Sequence, residues 1–193
     1  MSENGILKGV SLHELLASRD QRWHRQMQLL REHPNESLLC LTVIMPGSVK
    51  RNRLSLAVAT AATEAIRVEF ADSLTQMEER DLETGFEAYV LVSLPTLEAK
   101  QTACRIEENH PLGRLFDIDV IAPDGTPLSR ASVGAQPRRC LLCNNEARFC
   151  MRNHTHTPEQ IQAHIAEIVE AYVHDGLRNS GRSACDAALE TQG

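Results

Sequence analysis

Aromatic residues are scarce in this sequence. Phe, Trp and Tyr make up 4% of 193 residues, so any core must be built from Leu, Val, Ile and Ala. Long apolar runs are also missing. Leu38–Ile44 is interrupted by Thr42 and Tyr89–Leu94 by Ser93, and neither approaches the roughly 20 residues that a membrane span requires. The first residues, MSENGILKGV, offer neither a basic start nor an extended apolar segment, so no secretory signal is expected. No internal repeat or low-complexity tract is evident. These absences exclude a membrane protein, a collagen-like chain, a coiled coil and a largely disordered chain. What is present is 42% hydrophobic and 24% charged, at a length that buries a core in one domain without disulfide staples.

Six cysteines in a chain of this length are not a disulfide framework. With no export signal the cytoplasm is the expected compartment, where thiols stay reduced. Three of the six, Cys140, Cys143 and Cys150, crowd together, and clustered reduced thiols read as metal ligands, redox groups or packed core. The net charge of −6 argues against bulk nucleic-acid binding. Against it stand two basic clusters, Lys50-Arg51-Arg53 and Arg138-Arg139-Arg148-Arg152, which suit a confined anionic ligand better than a long polyanion.

Ser11 and Glu14 form a capping-box pattern ahead of a helix over roughly 11–31, with Leu12, Leu15, Leu16, Arg19, Trp23, Met27 and Leu30 at helical spacing. Residues 38–44 read as a buried strand, 53–66 as a helix, 87–94 as a strand and 96–109 as a helix N-capped by Thr96. Residues 115–121 read as a strand. Asp124-Gly125 predicts a hairpin that returns over 126–133. Thr157, Pro158 and Gln160 open a last helix with the stripe Ile161, Ile165, Ile168, Val169 and Tyr172. The expected organisation is a single domain over 1–178, with 138–156 as a Cys/His/Arg-rich segment within it and 179–193 as a flexible tail. This order predicts an α+β fold, a mixed or antiparallel sheet with helices on one face, ferredoxin-like in style. A doubly wound sheet fits less well, because the hairpin breaks the alternation.

Three places can carry chemistry. Asp117 and Asp119 alternate with Phe116, Ile118 and Val120, so on a strand both carboxylates share a face, with Cα atoms ~6.5–7 Å apart. Such a pair is either a solvated strand face or a seat for Mg²⁺ bound together with substrate phosphates. The loop Pro46-Gly47-Ser48-Val49-Lys50 follows a buried strand. It is an ordinary solvated loop or a phosphate cradle built from N–H groups near Gly47 and the Lys50 ammonium, and it lacks the Walker A spacing. The pattern Cys140-x2-Cys143-x6-Cys150-x3-His154-x-His156 supplies either a Zn²⁺ site or packing side chains. Cys40 and Cys104 read as small core residues and Trp23 as packing.

The blocks Met45-Pro46-Gly47, Lys50, Thr84-Gly85, Lys100, Ile106 through Val120 (I-E-E-N-H-P-L-G-R-L-F-D-I-D-V), Ser129-Arg130, and Arg139-Cys140-Leu141-Leu142-Cys143 with Cys150, Arg152 and His156 resemble one family over roughly residues 5–175. It is the apo-citrate lyase phosphoribosyl-dephospho-CoA transferases, or citrate lyase holo-acyl-carrier-protein synthases. The resemblance implies a nucleotidyltransferase. It would move the phosphoribosyl-dephospho-CoA group from 2′-(5″-triphosphoribosyl)-3′-dephospho-CoA to a serine of the citrate lyase acyl carrier (gamma) subunit, releasing pyrophosphate. The strand–helix–Asp-x-Asp order also resembles, at fold level only, the Mg²⁺-dependent pterin pyrophosphokinases. Site roles expected on this basis are Mg²⁺ at Asp117 and Asp119, and catalytic Arg114 and Lys50. Gly47, Lys50, Arg130 and Arg139 are expected to bind phosphate, while Cys140, Cys143, Cys150 and His156, from their spacing alone, would brace the site by holding structural Zn²⁺ or by packing. Glu107, Glu108 and His110 are the candidates to accept the serine proton, and the Arg138, Arg139, Arg148 and Arg152 rim is expected to dock the carrier. The alternatives are the same reaction on a malonate decarboxylase carrier, another phosphotransfer enzyme, or a non-catalytic zinc-binding interaction module. Nucleic acid and membrane partners are not expected.

Overall fold

The structure is a computed structural model that describes the backbone of residues 8–189 and the side chains of residues 8–176. The capping box forms as the sequence predicts. Ser11 caps α1 (Leu12–Glu32), its hydroxyl accepting from the Glu14 N–H while the Glu14 carboxylate accepts from the Ser11 N–H. That N–H, with help from the Ser11 hydroxyl and Lys8, holds the Glu14 carboxyl down to about 2. There follow β1 (Ser37–Val43), α2 (Arg53–Glu69), β2 (Leu74–Leu82), β3 (Gly85–Val92), α3 (Thr96–Asn109) and β4 (Phe116–Ile121). A short α4 (Ala147–Asn153) and a long α5 (Pro158–Leu189) complete the chain. α5 opens on the expected Thr157–Gln160 capping box, and its backbone continues to Leu189. The expected tail, 179–193, lies outside the described side chains and, from residue 190, outside the described backbone. Among the described residues no helix is long and apolar enough to cross a membrane.

The four strands form one antiparallel sheet in the order β2-β3-β1-β4. β1 and β2 run the same way with β3 between them, and β3 and β4 run the same way with β1 between them. Two split β-α-β units are thus interleaved, which is the ferredoxin-like arrangement within the α+β class. α2 and α3 cover one face, and α5 packs beside them through Ile165 and Val169. Leu39, Leu41, Val90, Val92, Phe116, Ile118 and Val120 project into this main core. The other face is covered too. α1 lies over Leu38, Cys40, Tyr89 and Leu91 through Leu29, so helices flank the sheet on both sides rather than on the single side expected.

Four local expectations are corrected. β2 is a strand not anticipated, because its sequence LTQMEERDL is dominated by charge. It is an edge strand, where charge discourages further pairing, and its carboxylates meet Arg25, Arg51 and Arg67. The return strand over 126–133 does not form. The Thr126 carbonyl accepts from the Ala122 N–H just past β4 and the Leu128 N–H donates to the Val120 carbonyl, before residues 130–133 turn into a 3₁₀ helix. Thr96 is the first residue of α3 and not its cap; Pro95 is the cap residue, and the Thr96 hydroxyl instead receives the Ser37 hydroxyl. The buried face of α1 is Ser18, Gln26 and Leu29, with Arg22 and Arg25 half-buried, while Leu12, Leu16 and Trp23 are exposed.

Gly113 begins the turn that delivers β4 to the sheet. A Cβ there would lie 2.5 Å from the Glu107 carbonyl oxygen and 2.7 Å from that of Ile106, both backbone atoms of α3 that cannot move aside cheaply. Gly113→Ala is expected to cost about 1–3 kcal/mol, read as a lowered urea midpoint with an unchanged slope.

Candidate functional site

Side chains alternate along each strand, so the face under α1 can be read directly from the register. Thr42 on β1 pairs with Glu87 on one side and Asp117 on the other, and Cys40 pairs with Tyr89 and Asp119. This face therefore carries two rows of polar groups that run from β2 to the outer edge of β4. Asp117 and Asp119 project together, as expected. The Asp117 side chain is 47% exposed. Asp119 is half-buried, and its carboxyl is pushed above its ordinary value by burial first and then by the charge of Asp117, against the pull of Lys100, Arg138 and Arg22. A carboxylate penalised in this way favours either a proton or a cation.

The sequence gives little warning of the next group on this face. Glu87, 2% exposed, receives Arg22 Nε at 2.8 Å, Arg80 Nη1 at 3.1 Å and the Tyr89 hydroxyl at 3.0 Å. Two arginines on one carboxylate leave an excess of positive charge beside Asp119. This explains why the inner face of α1 is polar: it covers a polar row of the sheet. A charged residue opening the otherwise apolar run 87–94 is the one signal that points to it. Cys40 lies beneath the same helix, its thiol pushed up to about 12 mainly by burial, so it is inert.

The outer edge of β4 is closed by side chains rather than by a further strand. Lys100 Nζ donates to the Ile118 carbonyl at 3.2 Å. Glu107 Oε1 accepts from the Ile118 N–H at 2.9 Å and from Arg138 Nη2 at 2.5 Å, and Oε2 accepts from Arg130 at 2.6 Å. Arg138 also donates to the Phe116 carbonyl at 2.7 Å and sits 3.4 Å from Asp117 Oδ1. These bonds occupy the edge that a returning strand would need.

The expected site residues divide accordingly. Arg138 comes to Asp117, leaving Arg139, Arg148 and Arg152 as the exposed part of the basic rim. Arg130 is held by Glu107, Glu108 and the Gln136 carbonyl. Arg139 donates to the Asn144 carbonyl at 2.7 Å. Arg114 donates to the Cys140 carbonyl, and burial lowers its affinity for its proton. Lys50 donates to the Met45 carbonyl at 2.6 Å and is likewise lowered by burial. It stands at the end of the sheet where β1 leaves and β4 enters, since the Ile44 N–H bonds the Leu115 carbonyl. Gly47, at φ +88°, faces Gln162 of α5. His110 lies against Phe116 and Tyr172 in the main core, on the side of the sheet away from the aspartates, and burial lowers its pKa.

Cys140, Cys143, Cys150 and His156 converge. Their ligand atoms all lie within 4.8 Å of one another, with Cys143 Sγ 3.5 Å from Cys150 Sγ and 3.4 Å from His156 Nε2. A disulfide needs ~2.05 Å, whereas four ligands at ~2.0–2.3 Å from a tetrahedral ion stand about 3.3–3.8 Å apart. The cluster can bind a metal such as zinc. Burial would raise the Cys140 thiol, yet the N–H groups of Leu142 and Cys143 together with the Cys150 and Cys143 thiols outweigh it and bring the thiol below its ordinary value.

Comparison with known proteins agrees with the resemblance read from the sequence. An Escherichia coli O7:K1 protein named "Apo-citrate lyase phosphoribosyl-dephospho-CoA transferase" is 39% identical over 150 residues, covering 76% of this chain and 81% of its own. A Streptococcus pyogenes serotype M18 protein named "Probable apo-citrate lyase phosphoribosyl-dephospho-CoA transferase" is 33% identical over 177 residues, covering 90% and 92%. The family model described as apo-citrate lyase phosphoribosyl-dephospho-CoA transferase matches residues 10–172, a span that holds the sheet, both aspartates and the whole Cys/His cluster. The chain belongs to that family.

Proposed function

We propose that this protein transfers the phosphoribosyl-dephospho-CoA group to apo-citrate lyase. The donor in this reading is 2′-(5″-triphosphoribosyl)-3′-dephospho-CoA, the acceptor is a serine of the acyl carrier (gamma) subunit, and pyrophosphate leaves. Membership of the family across residues 10–172 carries the reading, and the paired carboxylates on β4 support it as nucleotidyl transfer.

Asp117 and Asp119 suit Mg²⁺: they are two carboxylates on one strand face, one exposed and one penalised for its own charge. When bound, Mg²⁺ would neutralise triphosphate oxygens and the charge that grows on the leaving group. The chain's own residues do the rest. Arg138 steadies Asp117 and extends positive charge toward the phosphates. Lys50 and Arg114, at the end of the sheet where β4 enters, meet the outer phosphates, with Gly47 and Arg139 at the rim of the same loops. Arg130 has its guanidinium committed to Glu107, Glu108 and the Gln136 carbonyl, so it holds the edge of the site and does not meet the phosphates. The carrier serine hydroxyl attacks the α-phosphorus, the bond to pyrophosphate breaks, and the serine proton goes to bulk water or to a phosphate oxygen. Glu107 has both oxygens occupied by arginines and an N–H, and His110 lies across the sheet, so neither accepts it.

The test is the intact mass of the apo carrier subunit after incubation with this protein, the triphosphoribosyl precursor and Mg²⁺. A gain equal to the phosphoribosyl-dephospho-CoA group, with pyrophosphate released, is the expected result. A folded apo carrier of citrate lyase that gains nothing would overturn the reading.

A further inference from the structure

The Cys/His cluster is not an isolated knuckle. Its backbone grows out of Arg138: the Ala147 N–H bonds the Arg138 carbonyl at 2.7 Å, the Cys140 N–H bonds the Asn145 carbonyl at 2.7 Å, and Arg139 bridges to Glu146. This small loop presents Cys140 and Cys143. α4 then presents Cys150. His154, in the left-handed region at φ 47°, ends that helix and folds the chain back, with the Thr155 N–H on the Cys150 carbonyl, so that His156 arrives beside Cys143. Histidine is one of the few residue types besides glycine found with any frequency in that conformation, and here it reverses the chain so that His156 returns to the three sulfurs.

The same loop grips β4 and the turn that leads into it. The Arg138 side chain holds Glu107, the Phe116 carbonyl and Asp117, and Cys140 offers its own carbonyl to Arg114. The segment from 122 to 146 contains one short 3₁₀ helix and two isolated bridges, too little structure to hold Arg138 and the Cys140 carbonyl in register through packing. We propose that a zinc ion held by Cys140, Cys143, Cys150 and His156 latches the 138–156 arm onto the edge of β4, fixing Arg138 against Asp117 and engaging Arg114 through the Cys140 carbonyl. Three sulfurs and one imidazole nitrogen select zinc over the oxygen-seeking ion proposed for Asp117 and Asp119. Zinc here is a structural fastener with a closed ligand set. Its importance for transfer rests on the reading of Asp117 given above; the latch itself does not.

The test uses the full chain. Metal analysis of the purified protein should find one zinc per chain. Replacement with Co²⁺ should give the sulfur-to-metal charge-transfer band and intense visible bands of a tetrahedral thiolate site. Cys143→Ser should lose both, and His156→Cys should retain them. Amide hydrogen exchange then reads the latch. On chelation the Cys140 and Ala147 amides should exchange about a hundredfold faster, and the Ile118 amide, held by the Glu107 that Arg138 clamps, at least about tenfold faster. Leu39 and Val90, in the centre of the sheet, should not change. If Cys143→Ser does not fold, chelation of the wild-type protein gives the same comparison. Protein without zinc that also fails to bind Co²⁺ through sulfur would overturn the proposal, as would zinc release that leaves Ile118 exchange unaltered. None of these readouts depends on turnover, so a protein that binds zinc but modifies no carrier would count against the transferase reading alone.

Discussion

Asn in place of Asp117 or Asp119 should leave the carrier subunit unmodified, with transfer slowed by about a thousandfold or more, while the protein stays folded. The two effects separate because of what the carboxylates do before any ligand arrives. Asp119 has a pKa raised above its ordinary 3.8, chiefly by burial and then by Asp117. A raised carboxyl binds its proton more tightly in the folded chain than in the unfolded one. Its contribution to stability is therefore complete below 3.8 and is lost as pH rises through the raised value. At neutral pH the wild type carries that penalty and Asp119→Asn does not, so the variant should melt at the same temperature or higher, by up to about 1 kcal/mol of stability. Mg²⁺ should reverse the order. At a hundred times its dissociation constant a ligand adds about 2.7 kcal/mol, and only the wild type should show that gain. Thermal melts of the three proteins with and without Mg²⁺, beside carrier mass measurements, read both halves. Wild-type transfer by both variants would remove the carboxylates from the chemistry; a Mg²⁺-induced shift of equal size in all three would place the ion elsewhere.

What was legible in the sequence was whatever depends on neighbours in sequence. The capping boxes at Ser11 and Thr157, the apolar strand β1, the helices α2 and α3, and the alternation that turns Asp117 and Asp119 to one side all follow from local periodicity. The crowding of Cys140, Cys143 and Cys150 was visible as spacing, although the choice between packing and convergence needed the turn at His154. The misreadings share a cause in contacts made at long range. β2 looked unlike a strand because its charges answer arginines on α1, α2 and the loop before α2. The Leu12–Trp23 stripe suggested the wrong face of α1 because the sheet row beneath that helix is itself polar, from Glu87 to Asp119. The strand expected after Asp124-Gly125 had a suitable turn but no edge to join, since Lys100, Glu107 and Arg138 already bond the β4 backbone. Periodicity cannot report a partner that lies twenty residues away.

Removing the carboxylate of Glu107 should be among the most damaging single changes to stability in the molecule. This side chain, 6% exposed, joins three elements: α3, which carries it; β4, whose Ile118 N–H it receives; and the segment after β4, through Arg130 and Arg138. Burial pushes its pKa up, and Arg138, the Ile118 N–H, Lys100 and Arg130 pull against that. The carboxylate is thus desolvated and then compensated by its partners. Such an arrangement contributes little relative to an apolar replacement of the whole group, but breaking it by removing one partner costs about 3–5 kcal/mol. In Glu107→Ala two guanidinium groups face each other without their shared counter-charge, and an edge N–H loses its acceptor. Against a total of about 5–15 kcal/mol for a domain of this kind, the protein should be marginal, with its urea midpoint reduced by a third or more. Glu107→Gln separates the two losses: the amide oxygen can still accept from Ile118 but cannot neutralise the arginines, so its deficit should fall between those of wild type and Ala. An unfolding free energy for Ala within about 1 kcal/mol of wild type would mean that Arg130 and Arg138 find other partners and that the clamp does not hold the edge of β4. In that case Asp117 would have to be positioned by the sheet alone, and Arg138 would be free to swing away from it.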